Sequence, residues 1–181
     1  DVVAEVILNQ LYKLTQLQVS YGIIMLALHK GEPKIMSINE VLKDYFDFQC
    51  EVIERRTRFD LNKALDRLHV LEGLLTAIDN IDEVVHIIRN SKTNENARNA
   101  LMERFNLSEI QTRAILDMRL ARLTGLERDS IANEIASLND MIARFREILS
   151  DNQKVVDIVV EELEEIKEKY GKKRKTEISN D

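Results

Sequence analysis

The sequence predicts a mainly α protein: long antiparallel coiled-coil arms with a small helical globular tip, plus a short β-hairpin near the N-terminus. Three observations predict it. Glycine and proline are scarce, five and one in 181 residues, so the chain lacks the turn punctuation that a sandwich or barrel of short strands requires. Hydrophobic residues make up 44% and charged residues 32%, and the apolar ones recur at helical spacing, which suits helices with one dry and one wet face. Two long stretches also alternate apolar steps of three and four residues, the pattern of a coiled-coil seam.

The elements follow in order. Val3, Val6, Ile7, Leu11, Leu14 and Leu17 share one helical face, so residues 2–18 read as a helix that Tyr21-Gly22 breaks. The apolar run 23–28 and Lys34-Ile35-Met36 flank His29-Lys30-Gly31-Glu32-Pro33, where Gly and Pro mark the turn of a hairpin. Ser37-x-x-Glu40 has capping-box spacing, each side chain satisfying an orphan amide of the other. Beyond it Leu61, Leu65, Leu68, Leu71, Leu75 and Ile78 mark one helix of about 40 residues, roughly 60 Å long, with a break at Gly73. A helix of that length cannot be buried in a chain of this size, so it projects.

Shorter elements come next. Asn80-x-x-Glu83 opens a helix to Arg89, and Thr93 or Asn94 opens one to Phe105. Ser108-x-x-Gln111 is a second capping box, opening a helix over 110–123 that Thr124-Gly125 ends. The long period then returns in Ile131, Ile135, Leu138, Ile142, Phe145 and Leu149. Ser150-x-x-Gln153 interrupts it as a third box, and Val156, Val159, Leu163, Ile166 and Tyr170 resume it until Gly171. The organisation is a helix and hairpin in 1–36, a first arm in 37–79, a tip in 80–126, a second arm in 127–171 and a basic tail in 172–181.

Several functions are excluded or left without support. The single cysteine, Cys50, excludes an internal disulfide framework and suits a reducing compartment. No apolar run reaches the roughly 18 residues of a membrane span. The start is neither a signal peptide nor an initiator Met, which reads as a piece of a longer chain. A net charge of −6 argues against DNA binding by the chain as a whole. There is no phosphate-binding P-loop pattern. His29, His69 and His86 are scattered, and Cys50 has no nearby His, so no metal or nucleophile constellation forms. Asp79, Asp82 and Glu83 either hold a cation or simply favour a helix N-terminus.

Two basic clusters and one apolar segment stay open. Arg55, Arg56 and Arg58 are candidate DNA-facing residues, against the alternative of a solvated face neutralised by Glu51, Glu54 and Asp60. Lys167, Lys169, Lys172, Lys173, Arg174 and Lys175 either meet phosphate or complement a helix C-terminus and lead into a linker. The segment 114–123 is apolar on nearly every side, so it is either the centre of the tip core or a partner-facing surface.

The motifs, taken together, carry a resemblance. Leu107-Ser108-Glu109-Ile110-Gln111, Ala114-Ile115-Leu116-Asp117-Met118-Arg119-Leu120 and Arg122-Leu123-Thr124-Gly125-Leu126-Glu127 lie in sequence. With them go Arg55-Arg56-Thr57, His69-Val70-Leu71-Glu72-Gly73-Leu74, Glu168-Lys169-Tyr170-Gly171, Asn9-Gln10-Leu11-Tyr12-Lys13 and Thr15-Gln16-Leu17-Gln18. This set, in order over essentially the whole chain, resembles the A subunits of bacterial DNA gyrase, a type IIA DNA topoisomerase. The topoisomerase IV counterpart is similar in layout, and a generic helical-hairpin interaction scaffold is the rival reading.

The resemblance implies that residues 1–36 end a tower domain and that the remainder forms coiled-coil arms with a tip. Two such tips meet as the exit gate, or C-gate, for a transported DNA duplex in ATP-dependent supercoiling. It therefore implies a homodimer, with Ile115, Met118, Arg119, Leu123 and Leu126 as candidate interface residues. The B subunit of gyrase, with transient duplex DNA, completes the implied partners. The resemblance also implies a cytoplasmic setting and no membrane. In this family the nucleophile is a Tyr preceded by Arg. The tyrosines here follow Leu11, Ser20, Asp44 and Lys169. The expectation is thus no catalytic residue, metal ligand or cofactor site in this segment, the ATP and Mg2+ of the parent enzyme being used elsewhere.

Overall fold

A computed structural model of the chain describes residues 3–118 and 125–179. In order, the elements are α1 (Ala4–Leu14), β1 (Leu26–His29), β2 (Glu32–Ile35), α2 (Ile38–Asp79), α3 (Ile81–Asn90), α4 (Asn94–Phe105), α5 (Glu109–Leu116), α6 (Gly125–Ser150) and α7 (Asn152–Tyr170). The chain divides into two compact units, Asp1–Phe48 and Gln49–Asp181.

In the first unit α1 stops at Leu14, short of the residue 18 expected. Thr15 leaves the helix in an extended conformation. Its hydroxyl donates to the Leu11 carbonyl and accepts from the Leu17 amide at 3.3 Å, a local bond that competes with the helical ladder. In the hairpin, the turn is Lys30-Gly31 alone, with φ of 51° and 87°. That is the backbone of a two-residue type I′ turn, whose twist matches that of the strands. Glu32 and Pro33, expected in the turn, are therefore the first residues of β2 and pair with His29 and Leu28. The Met36 amide donates to the Met25 carbonyl at 2.9 Å. Counting inward by alternate pairs, Pro33 falls where no inter-strand bond is due, so its missing N–H leaves the hairpin unweakened.

Ser37 and Glu40 then make the expected capping box: Glu40 Oε2 accepts the Ser37 amide at 2.8 Å and Ser37 Oγ accepts the Glu40 amide at 3.3 Å. His29 Nδ1 meets Asp44 Oδ2, tying the hairpin to α2. Met36, which lies between the two in sequence, is buried.

α2 has 42 residues, roughly 63 Å of helix, and passes without interruption through Gly73. The break expected there is absent. Asn80, expected to cap α3, instead donates from Nδ2 to the Thr76 carbonyl at 2.9 Å and so closes the end of α2.

In the second unit one core joins the far half of α2 to α3, α4, α5 and α6. It includes Leu71, Leu74, Ala77, Val84, Leu101, Ile115, Ile131, Leu138 and Ile142. Leu61, Leu65, Leu68, Leu75, Ile135 and Phe145 pack on it half-buried. α2 and α6 run antiparallel, since Asp79 bonds Arg128 at 2.6 Å while Arg67 bonds Glu134 at 2.7 and 3.0 Å.

α7 meets α2 in a different register. At one residue per residue, Arg56 would face roughly residue 148. It bonds Glu162 instead, at 2.8 Å, about 14 residues and roughly 21 Å of helix further on. The chain therefore turns between α6 and α7. Ser150 donates to the Glu147 carbonyl at 2.8 Å, and Asp151, not Ser150, caps α7 by accepting the Gln153 amide at 2.9 Å. On α7 Val155 and Val159 are buried, while Ile166 and Tyr170, expected in the seam, are exposed.

Candidate partner-facing surfaces of tip and arm

The tip is organised around α5. Ser108 accepts the Gln111 amide at 3.2 Å, and Gln111 Oε1 accepts the Ser108 amide at 2.9 Å, completing the second expected capping box. The same glutamine donates from Nε2 to the His69 carbonyl of α2 at 2.8 Å, and His69 Nε2 lies 2.6 Å from Ser108 Oγ. Thr112 is fully buried and donates to the Ser108 carbonyl at 2.9 Å. One cap thus serves two helices: it starts α5 and bolts it to α2. Gly73 makes the fit possible, because a β-carbon there would collide with Gln111.

With Gln111, Thr112 and Ile115 turned inward, the outward face of α5 carries Glu109, Ile110, Arg113, Ala114 and Asp117. With Val70 of α2 these residues line an open groove of about 450 Å³. Ile110 is 64% exposed. Glu109 bonds Arg98 of α4 at 3.0 Å and lies 3.7 Å from Arg113.

The candidate interface residues divide. Ile115, 3% exposed, belongs to the core and contributes nothing to the surface. Met118 is half-buried against that core. Leu126, at the start of α6, is 85% exposed. Arg119 and Leu123 lie outside the described residues. Of the helix expected over 110–123, α5 ends at Leu116, where the Met118 amide closes a tighter last turn on the Ile115 carbonyl at 3.1 Å; its residues 119–123 lie outside the described ones. Glu109, Ile110 and Arg113 are not among the sequence candidates; that they point out follows from the seating of Gln111 on the His69 carbonyl, which no local pattern reveals.

Of the candidate DNA-facing residues, Arg56 is engaged by Glu162, and Arg55 sits 3.6 Å from Glu51 on the same helix. Arg58 is exposed and forms no ion pair among the described residues. Of the acids considered for a cation, Asp79 is engaged by Arg128, and Glu83 by Nε and one terminal nitrogen of Arg104. The Asp79 and Glu134 carboxylates raise the pKa of Arg128 and Arg67, chiefly through their hydrogen bonds. Among the described residues no group of His, Cys, Asp and Glu could hold a metal ion. No described helix is long and apolar enough to cross a membrane.

The described features are a helical arm, a tip capped onto it, and surface ion pairs, which define a helical scaffold module. The chain belongs to the family of the A subunits of DNA gyrase and topoisomerase IV, whose model matches residues 1–164. It is 56% identical over 179 residues to the DNA gyrase A subunit of Halalkalibacterium halodurans, covering 99% of this chain and 22% of that protein. Against the DNA gyrase A subunit of Streptococcus pyogenes it is 53% identical over 175 residues, covering 97% of this chain and 21% of that protein. Against that of Streptococcus pneumoniae the identity is 52% over 178 residues, with 98% and 22% covered. The chain thus spans about a fifth of the length of these relatives.

Proposed function

We propose that this chain is the arm-and-gate segment of a gyrase A-type subunit, within an ATP-dependent type II DNA topoisomerase of the cytoplasm. In this reading residues 1–36 end the tower, 37–79 and 127–171 form the arms, 80–126 is the gate tip and 172–181 leads onward. Two tips associate about a two-fold axis and part to release a DNA duplex. Strand cleavage, ATP and Mg2+ belong to other parts of the assembly, which includes the B subunits of the enzyme.

The observation that carries the reading is the common core joining α3, α4 and α5 to the paired ends of α2 and α6. A tip built into its arms moves with them as one body, which is what a mechanical gate requires. The likeness to gyrase A subunits over nearly the whole chain supports the same reading.

Sedimentation equilibrium of the chain tests it. A reversible dimer is expected, and a monomer at high micromolar concentration overturns the gate. A supercoiled plasmid is expected to stay unrelaxed and uncleaved by the chain alone. A covalent protein–DNA adduct would overturn the assignment of cleavage elsewhere.

A further inference from the structure

We propose that Lys172, Lys173, Arg174 and Lys175, just past the end of α7, form a contact site for the phosphate backbone of duplex DNA. The proposal rests on the reading above, in which this arm belongs to an assembly that transports DNA, and adds to it a place where a duplex is held.

Charge at the end of the arm is sorted rather than mixed. Glu161, Glu162, Glu164 and Glu165 fall on α7 before Lys167, whereas from Lys169 to Thr176 the chain carries five cations and no acid. Two of those glutamates are already engaged, Glu162 by Arg56 of α2 and Glu165 by Lys169. Lys172, Lys173 and Lys175 are exposed, and their side chains bond nothing among the described residues. Arg174 donates from Nε to the Thr176 carbonyl at 3.1 Å, and its two terminal nitrogens stay unengaged among the described residues. In a chain whose net charge is −6, such a concentration of exposed cations is the feature that draws a polyanion.

The backbone suits a row of phosphates. Gly171 leaves the helix extended, with φ of −60° and ψ of 133°, and no helix or strand resumes over 172–179. An extended chain rises roughly 3.3 Å per residue, close to the roughly 3.4 Å per phosphate of one DNA strand, so consecutive cations keep pace with consecutive charges. Lysine meets phosphate as a point charge on a flexible stem and demands no fixed pose. Residues 171–177 hold no aromatic or apolar side chain, so the run has nothing to stack on a base or to sink into a bilayer. The contact is therefore to the backbone, indifferent to base sequence, and to DNA rather than to a lipid surface.

Fluorescence anisotropy of the chain with a labelled duplex of about 20 base pairs, over a range of salt, tests the site. The unaltered chain is expected to bind duplexes of different sequence alike, with an affinity that falls as salt rises at a log–log slope of about −3 to −4. Lys172→Gln/Lys173→Gln/Arg174→Gln/Lys175→Gln is expected to weaken binding about tenfold or more at low salt and to flatten the slope by about 0.9 for each cation removed. Lys63→Gln/Lys92→Gln/Arg144→Gln/Arg146→Gln removes the same charge from exposed positions scattered over arm and tip, and is expected to keep the affinity within about threefold. Circular dichroism checks that both variants stay helical. If the unaltered chain binds no duplex, or the two variants weaken binding alike, or one base sequence is strongly preferred, the site is wrong. Phosphatidylglycerol vesicles that compete better than unlabelled duplex at equal phosphate concentration would assign the run to a membrane surface and overturn the proposal. The dimer is read separately by sedimentation equilibrium. A chain that dimerises but binds no duplex loses this site and keeps the gate; a monomer that binds duplex through the run loses the gate and keeps the site.

Discussion

A β-carbon on Gly73 would lie 2.6 Å from Cβ and 2.7 Å from Cγ of Gln111. The clash is with the root of a side chain, not its flexible end, so α5 and α2 would have to separate. Gly73→Ala is therefore expected to destabilise the chain by about 1–2 kcal/mol, the overpacking cost outweighing the alanine's gain in helix propensity. Urea unfolding followed by circular dichroism measures it, and an unchanged or raised midpoint would contradict the close contact.

Leu138 is buried where α6 meets the common core. Leu138→Ala is expected to cost about 2–5 kcal/mol. Ile166→Ala, on the exposed part of α7, is expected to stay within about 0.5 kcal/mol of the unaltered chain. Equal losses at the two positions would mean that α7 packs like α6.

Arg67 and Glu134 make two hydrogen bonds across the arms, but both side chains are close to half exposed. A double-mutant cycle with Arg67→Ala and Glu134→Ala is expected to give a coupling below about 1 kcal/mol that shrinks in added salt. A larger, salt-insensitive value would assign the arm register to this pair rather than to the apolar seam.

Glu40 is held below its ordinary value of 4.5, first by the Ser37 amide, then by the Ser37 hydroxyl and Lys34. Its folded pKa is depressed, so its contribution is present above the ordinary value and is lost as pH falls through the folded one. Hydrogen exchange at the start of α2 is expected to accelerate below that range. Glu40→Gln, which keeps an acceptor but removes the charge, is expected to flatten this acid limb; an unchanged limb would exclude Glu40 as its source.

Asp151 begins α7 by accepting the Gln153 amide. Asp151→Ala is expected to cost about 1 kcal/mol and to lower exchange protection in the first turn of α7 while α6 keeps its own. Loss of protection along both helices would show that the joint does not separate them.

Much of the architecture is legible where a local rule and the global packing agree. Ser37-x-x-Glu40 and Ser108-x-x-Gln111 fold as capping boxes because each supplies donor and acceptor within one turn. The seam from Leu61 to Phe145 is legible because its period matches two antiparallel helices. Expectation and structure part where a residue has a second local option. Asn80 closes the helix behind it rather than opening the one ahead, and Thr15 bonds back to Leu11. Gly73 reads as a break because glycine weakens helices, yet what it provides is room for Gln111, a distant residue in sequence that no local pattern reveals. The turn before α7 escapes because Val156, Val159, Leu163 and Ile166 keep the seam period across it, although the register on α2 shifts to bring Glu162 to Arg56. Of the candidate surfaces, periodicity locates apolar surplus but does not say that Ile115 turns inside and Ile110 outside; that depends on how Gln111 seats the helix.

Pro33 has a consequence for the edge of the hairpin. At a position unbonded to β1, its nitrogen faces away from the sheet, where an incoming strand would need a donor. Proline has none to give. A third strand could not zip along β2 without leaving a gap in its ladder, so the hairpin resists growth by strand addition on that side. The residue that the hairpin tolerates without loss thereby guards the chain against sheet-mediated aggregation.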